Sequence, residues 1–303
     1  MNAKQAAYSK ANSYSFTLQA LQVQTPVSDD RPTEIVVGIQ PFGITSQPFG
    51  NAGDVVVIAN YLAPAQHFGT VKVSNGTLTR ELKRITGAMN GITWCRGGFP
   101  EADTVAQANR CWTAVLGSPS SGELLVGKGD PEFFRLRSPS GDEKQWKVTG
   151  RVELPRTYGS YPHKFIASAT LLSDDRFFTV EHDGEYQCDA VEWEGVLAGR
   201  IKRVMEHPLG KFRYGIALAR FESTLERLVT ITAYHSVESP GIYLGDTRIV
   251  PDVFGNGICP LINGGALVTR RGMESPEADS LEAPGALIYI PPAMFPAGFE
   301  WVR

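Results

Sequence analysis

Phe165-Ile-Ala-Ser-Ala-Thr-Leu-Leu172, then Ser173-Asp174-Asp175-Arg176, then Phe177-Phe-Thr-Val-Glu181, reads as a strand, a polar turn and a second strand. Both apolar stretches are short and rich in β-branched and aromatic residues, and turn formers separate them. The same grammar recurs outward from this point. Strands are expected at Phe16–Val23, Glu34–Ile39, Gly215–Phe221, Leu228–Tyr234 and Ala286–Ile290. Asp54–Leu62 is apolar enough to be a buried strand or a helix, and periodicity does not decide between them. The 31 glycines and 20 prolines are scattered between such stretches, as in a chain with many turns.

Three stretches follow a helical period instead. They are Leu78, Leu82, Ile85 and Met89; Val105, Ala108, Trp112 and Val115; and Trp193, Leu197, Ile201 and Val204. The last has Glu192 and Glu194 near its start, Lys202 and Arg203 near its end, and Pro208 and Gly210 beyond, so it carries the best helix signal. The fold class expected is mainly β with a few helices.

The turn Ser173-Asp-Asp-Arg176 repeats Ser28-Asp-Asp-Arg31. Other landmarks recur in the same order at offsets of about 145 residues: Thr77-Leu78 with Thr224-Leu225, Cys111 with Cys259, and Gly122–Val126 with Gly265–Val268. This order predicts an internal duplication. The domain reading is a polar arm at 1–12, a β-rich domain at 13–155, and a similar domain at 156–303 that ends in an apolar tail. That tail, Tyr289–Val302, is proline-rich and would be an aggregation hazard if free, so it is expected to pack on its own domain or on a neighbour.

Charge and composition exclude some functions. The net charge is −3, and the basic groups (Arg135 with Arg137; Arg200, Lys202 and Arg203) are small. There is no stripe of the kind that phosphate neutralisation requires, which disfavours nucleic acid as a partner and a clamp as the function. The polar start lacks a signal core, and no run approaches the roughly 18 apolar residues that span a bilayer, so the expected place is the cytoplasm. Four cysteines (Cys95, Cys111, Cys188, Cys259) lie far apart and read as reduced core residues.

Candidates for chemistry are few. Glu181-His182-Asp183-Gly184-Glu185 has metal-ligating residue types, but Asp183-Gly184 between two strands reads as a hairpin turn. Cys95, beside Arg96 and two glycines, is the least implausible nucleophile. His67, His163, His182, His207 and His235 are the available bases, and nothing selects among them. Gly127–Pro131 and Gly255–Gly257 read as plain loops, without the spacing of a phosphate cradle. No catalytic, cofactor-binding or metal-binding residue is therefore assigned, and no cofactor is expected. The reading is a self-assembling subunit of a ring, tube or particle, such as a tail, baseplate or capsid component of a virion. Its partners would be copies of itself, as a trimer or hexamer-like ring, and other structural proteins. The alternative is an enzyme or small-ligand binder whose site is assembled from distant residues.

Overall fold

The computed structural model describes residues 30–37, the strands at 41–46, 55–60, 68–74, 77–79, 114–117, 123–127, 131–137 and 147–155, and then 165–302. Within that last span, short connections at 174–175, 184, 223–224, 234–238, 262, 271–272, 275–280 and 284–285 are not described. The arm at 1–12, the expected strand at Phe16–Val23, and Cys95, Cys111, His67, His163 and His235 lie outside these residues.

After β1 (Thr33–Val37), the described residues form larger antiparallel sheets one after another, each of four strands except one that gains a fifth from the end of the chain. Sheet I is β2 (Pro41–Ser46), β3 (Val55–Asn60), β4 (Phe68–Ser74) and β5 (Thr77–Thr79). Sheet II is β6 (Ala114–Gly117), β7 (Glu123–Gly127), β8 (Glu132–Arg137) and β9 (Lys147–Glu153). Sheet III is β10 (Phe165–Leu171), β11 (Arg176–His182), β12 (Gln187–Glu194) and β13 (Lys202–Lys211). Sheet IV is β14 (Arg213–Phe221), β15 (Glu226–Thr232), β16 (Gly241–Leu244) and β17 (Thr247–Pro251). Sheet V begins with β18 (Gly257–Pro260) and β19 (Ala266–Arg270). A small hairpin of β20 (Met273–Glu274) and β21 (Leu281–Ala283) follows, and β22 (Ala286–Ile290) is the third strand of sheet V. A single 3-10 turn at Pro292–Met294 then leads to β23 (Phe299–Trp301).

Two features turn this series into a ring. The first strands of the sheets touch in cyclic order: β2 with β6, β6 with β10, β10 with β14, β14 with β18, and β18 with β2. The fourth strand of sheet V is β1, which pairs antiparallel with β22 from Thr33 opposite Tyr289 to Val37 opposite Ala286. The Glu34 carboxylate also meets Arg270 of β19 across β22. Among the described residues, five meandering sheets around a closed inner ring, with β1 completing the last sheet, form the blades of a β-propeller.

The core is correspondingly divided into layers between sheets. Phe177, Trp193 and Val191 of sheet III pack on Leu125, Phe133 and Val152 of sheet II. Phe178, Val180 and Ala190, on the other side of sheet III, pack on Tyr214, Ile216 and Leu218 of sheet IV. Sheets IV and V meet through Val229, Ile231, Ile242, Ile258, Val268 and Ile288. The second strand of sheet III, β11, is accordingly buried from Phe177 to Glu181. The outermost strand of that sheet, β13, is mostly exposed.

Several buried polar groups are bonded to one another. Trp193 Nε1–H donates to Thr179 Oγ1 at 2.9 Å, and that hydroxyl donates to the fully buried Glu181 at 3.1 Å. Thr179→Val removes both bonds with little change of shape. It is expected to cost about 1–3 kcal/mol, read from the shift in a denaturation midpoint. An unchanged midpoint would show that the hydroxyl contributes nothing to the fold.

Sheets III and IV are also joined by ions. Arg176 donates to Glu192 at 2.9 Å and to Glu226 at 2.8 Å, and Arg220 donates to Glu226 at 3.0 Å. The Arg176 hydrogen bond holds the Glu226 carboxyl below the ordinary value of 4.5. A carboxylate depressed in the folded state stabilises above its unfolded pKa and loses that contribution as pH falls through the folded one. Glu226→Gln is therefore expected to cost on the order of 1 kcal/mol near neutrality. The gap from the parent chain should close below about pH 4. Denaturation midpoints at pH 7 and in acid test this, and a gap that widened in acid would contradict it.

One expectation is corrected here. The helix expected over Trp193–Val204 is a strand end, a turn and a strand start. Gly195 and Gly199 take φ of 67° and 70°, and Arg200 N–H closes the turn on the Gly195 carbonyl at 3.1 Å. A Cβ at Gly195 would collide with the Arg200 carbonyl oxygen, so the glycine is required. Leu197 and Ile201 mimic a helix face because both fold back onto the core between sheets II and III. The other two expected helices lie largely outside the described residues, although Leu78 sits in β5 and Val115 in β6.

The doubling of halves is not what the strand order repeats. Arg31 leads into the fourth strand of sheet V, whereas Arg176 opens the second strand of sheet III. What recurs among the described residues is an antiparallel sheet of four strands, with β23 added to sheet IV as a fifth, and the internal duplication is not confirmed. The expected boundary near 155 falls in the connection between sheets II and III, whose inner strands β6 and β10 are in contact.

Candidate functional site

The turn between β11 and β12 is built by Asp183. Its Oδ1 accepts the N–H groups of Glu185 at 2.9 Å and Gln187 at 3.0 Å, and its carbonyl accepts Tyr186 N–H at 3.1 Å. This is the hairpin turn expected from Asp183-Gly184. It drives Tyr186 to a φ of 63°. One sheet over, Phe212, between β13 and β14, has a φ of 58°. Bulky residues cost about 1–2 kcal/mol each in this left-handed region, and such strain concentrates where a surface is used.

The two strained residues hold each other. Phe212 N–H donates to the Tyr186 carbonyl at 3.0 Å, and Ala233 N–H, just beyond β15, donates to the Phe212 carbonyl at 2.7 Å. Three connections at one end of sheets III and IV are thereby tied together. Their rings form a ladder in the order Phe212, Tyr186, His182, Tyr214. Centroid spacings are 5.1, 5.7 and 5.4 Å, with interplanar angles of 25°, 18° and 25°. Tyr214 is buried at the inner end, whereas Tyr186 is 40% exposed. His182 Nδ1 lies 2.8 Å from the Asp183 carbonyl, which can only accept, so Nδ1 carries the proton.

Cys188 lies beneath this crossing and donates from Sγ to the Tyr186 carbonyl at 3.4 Å. Burial pushes its thiol up to about 12, so it is a packed hydrogen-bond donor without thiolate character at neutral pH.

The residue types singled out at 181–185 do not converge. Thr179 and Glu181 face sheet II beside Trp193, His182 faces Tyr214 of sheet IV, and Asp183 is spent on its turn. Adjacent strand residues point to opposite sides, which separates Glu181 from His182. His207 lies on β13 opposite Ala190, in register with the side of sheet III that meets sheet IV. Gly255–Gly257 forms the approach to β18, where the Asn256 carbonyl accepts Gly215 N–H at 3.0 Å between the inner strands of sheets IV and V. In the loop after β7 the Pro131 carbonyl accepts Leu154 N–H at 2.9 Å. Tyr186, Phe212 and Tyr214 carried no local signal, because the ladder joins aromatic residues that periodicity assigns to separate strands and turns.

No family model matches the chain, and no curated protein matches it. Solved structures do. The RRP9 WD40 repeats are similar over 88% of this chain and 99% of that one, at 10% identity and a TM-score of 0.43. The Myceliophteria thermophila Cps50 (Swd1) β-propeller domain matches over 84% of this chain and 71% of that one, at 10% identity and a TM-score of 0.32. The WD40 β-propeller domain of Doa1 matches over the same shares, at 8% identity and a TM-score of 0.32. The expectation of a virion subunit that assembles into rings, tubes or particles is corrected: among the described residues the ring of sheets closes inside one chain, through β1 pairing with β22. Among the described residues, no helix is long and apolar enough to cross a membrane.

Proposed function

We propose that this chain is a protein-interaction module that receives a segment of another protein on the aromatic ladder at the junction of sheets III and IV. The observation that carries this reading is Tyr186, a large ring held partly in solvent by a backbone conformation that tyrosine disfavours, at the end of a stack anchored in the core. Rigid, pre-positioned aromatic rings bind with little loss of side-chain entropy, and tyrosine is enriched among the residues that dominate interfaces. The ring closure supports the reading too, because it leaves the loops at the end of the propeller free to vary while the scaffold stays fixed.

The test uses Tyr186→Gly, which removes the ring and relieves the left-handed strain, so the fold is spared. A photo-cross-linking residue at 186 is expected to trap a discrete partner, whereas the same residue at Leu225 is not. Leu225 is 65% exposed and follows β14, so it stands at the opposite end of sheet IV. Tyr186→Gly should reduce capture of that partner at least tenfold while its thermal midpoint stays within a few degrees of the parent. Equal capture by parent and variant would overturn the proposal.

A further inference from the structure

One cation beside the ladder has few polar contacts among the described residues. Arg213 is the residue after Phe212 and the first of β14. Its guanidinium carbon stands 3.3 Å from the centroid of the Tyr243 ring, so the flat group lies on the flat ring. Tyr243 is fixed beneath it, 7% exposed, with its hydroxyl donating to the Ser239 carbonyl at 2.6 Å. Of the five N–H groups that a guanidinium carries, one is engaged among the described residues, by a long 3.5 Å bond to Thr230 Oγ1. Among the described residues no carboxylate forms an ion pair with it. Asp246, exposed in the turn between β16 and β17, acts on it only at longer range.

A second arginine shares this side of the sheet. Thr230 is opposite Tyr243, and Tyr243 is opposite Arg248 of β17, so the three side chains lie on one side of sheet IV. Arg248 is exposed at its head, but its stem lies on Gly241: a Cβ there would stand 2.8 Å from both Arg248 Cγ and Cδ. Gly241 thus leaves room for the arginine stem, and Tyr243 supports the other arginine from below. On the same side, the apolar residues nearer the axis pack against sheet III, where Met205 and His207 of β13 lie in register with Glu192 and Ala190.

We infer that Arg213 and Arg248, flanking Tyr243, form an oxyanion-reading subsite that takes the carboxylate or phosphorylated side chain of a bound protein segment. The inference rests on the interaction role proposed for the adjacent ladder. Stacking holds the Arg213 fork in one plane and leaves its edges for a bidentate acceptor, which a lysine in the same place could not offer. A half-buried cation with no ion-paired carboxylate among the described residues gains from an arriving oxyanion, and burial pulls the Arg213 pKa down.

The test measures binding of two blocked dipeptides to the full chain by calorimetry, N-acetyl-Tyr-Glu-amide and its counterpart with phosphotyrosine and Gln. N-acetyl-Tyr-Gln-amide is the neutral reference. The parent is expected to bind one or both anionic probes at least tenfold more tightly than the neutral one, and the preference should weaken with salt. Arg213→Met should abolish the preference, Arg213→Lys should retain only a small part of it, and Arg248→Met should reduce it severalfold. Which probe is preferred tells a carboxylate from a phosphorylated segment. The Arg213 Nε–H resonance, shifted by the Tyr243 ring, should move on titration, and this reads the site directly without a variant. No preference in the parent, or an undiminished one in Arg213→Lys, would overturn the inference. The cross-linking assay at residue 186 is independent of these probes, so a partner trapped there without any anion preference would sink the subsite and leave the ladder standing.

Discussion

A chain that begins at Gly38 is expected to lose its cooperative melt. It lacks β1, the only strand that sheet V takes from the other end of the chain among the described residues. Removing it exposes the edge of β22, whose five residues are all buried, and breaks the Glu34–Arg270 contact across that strand. Each lost ladder bond is worth about 0.5–1.5 kcal/mol, and the uncovered apolar area adds to that. The total, on the order of 5 kcal/mol, is comparable with the entire stability of many domains. The newly open edge is also a template for pairing between molecules. Thermal denaturation followed by circular dichroism, with light scattering of the same samples, should show a broad, early transition and association. A sharp melt within a few degrees of the full chain would mean that the ring does not depend on this strand.

The second large effect is expected from stopping the chain after Pro291. The lost segment carries β23, which pairs with Ala219, Arg220 and Phe221 on the side of β14 that faces the axis. Val302 N–H adds a bond to the Leu218 carbonyl at 2.9 Å, and Trp301 Nε1–H donates to the Gly264 carbonyl of sheet V at 3.0 Å. Phe295, Phe299 and Trp301 form a mutual cluster with centroids 4.8 to 5.1 Å apart, seated on the core between sheets IV and V. At roughly 1.5–3 kcal/mol for each fully buried side chain, and less for the two that are partly exposed, the loss is about 5 kcal/mol. Phe295→Ala alone, at 8% exposure, should account for about 3 kcal/mol of it. The apolar tail is thus an internal strand of this chain, and the measurement that reads its removal is the melt of the protein itself. A truncated chain with an unchanged melting temperature would contradict this.

Much of the local fold was legible in the residues. The strands at 165–171, 176–182, 215–221, 228–232 and 286–290 fall where β-branched and aromatic stretches meet turn formers, and Asp183-Gly184 marks its hairpin. The error at 193–204 has a specific cause. Trp193, Leu197 and Ile201 are all drawn to one core, but along a strand end and a folded-back turn, and a period of four cannot distinguish that path from a helix. The internal duplication is not confirmed; what the described residues show in common is the recurring alternation of strand and polar turn.

By itself, then, the sequence determined the element type, through backbone preferences and turn chemistry that act over a few residues. Only the tertiary structure decided that the first described strand closes the last sheet, and that the sheets of the described residues meet in a ring. Pairing Thr33 with Tyr289 joins positions about 250 residues apart, at a loop-closure cost that only the assembled core repays. The ladder of Phe212, Tyr186, His182 and Tyr214, and the seat of Arg213 on Tyr243, belong to the same class. They depend on two left-handed residues forced by the contacts between sheets III and IV, against their own local preference, and no local pattern encodes a conformation that the surrounding fold imposes.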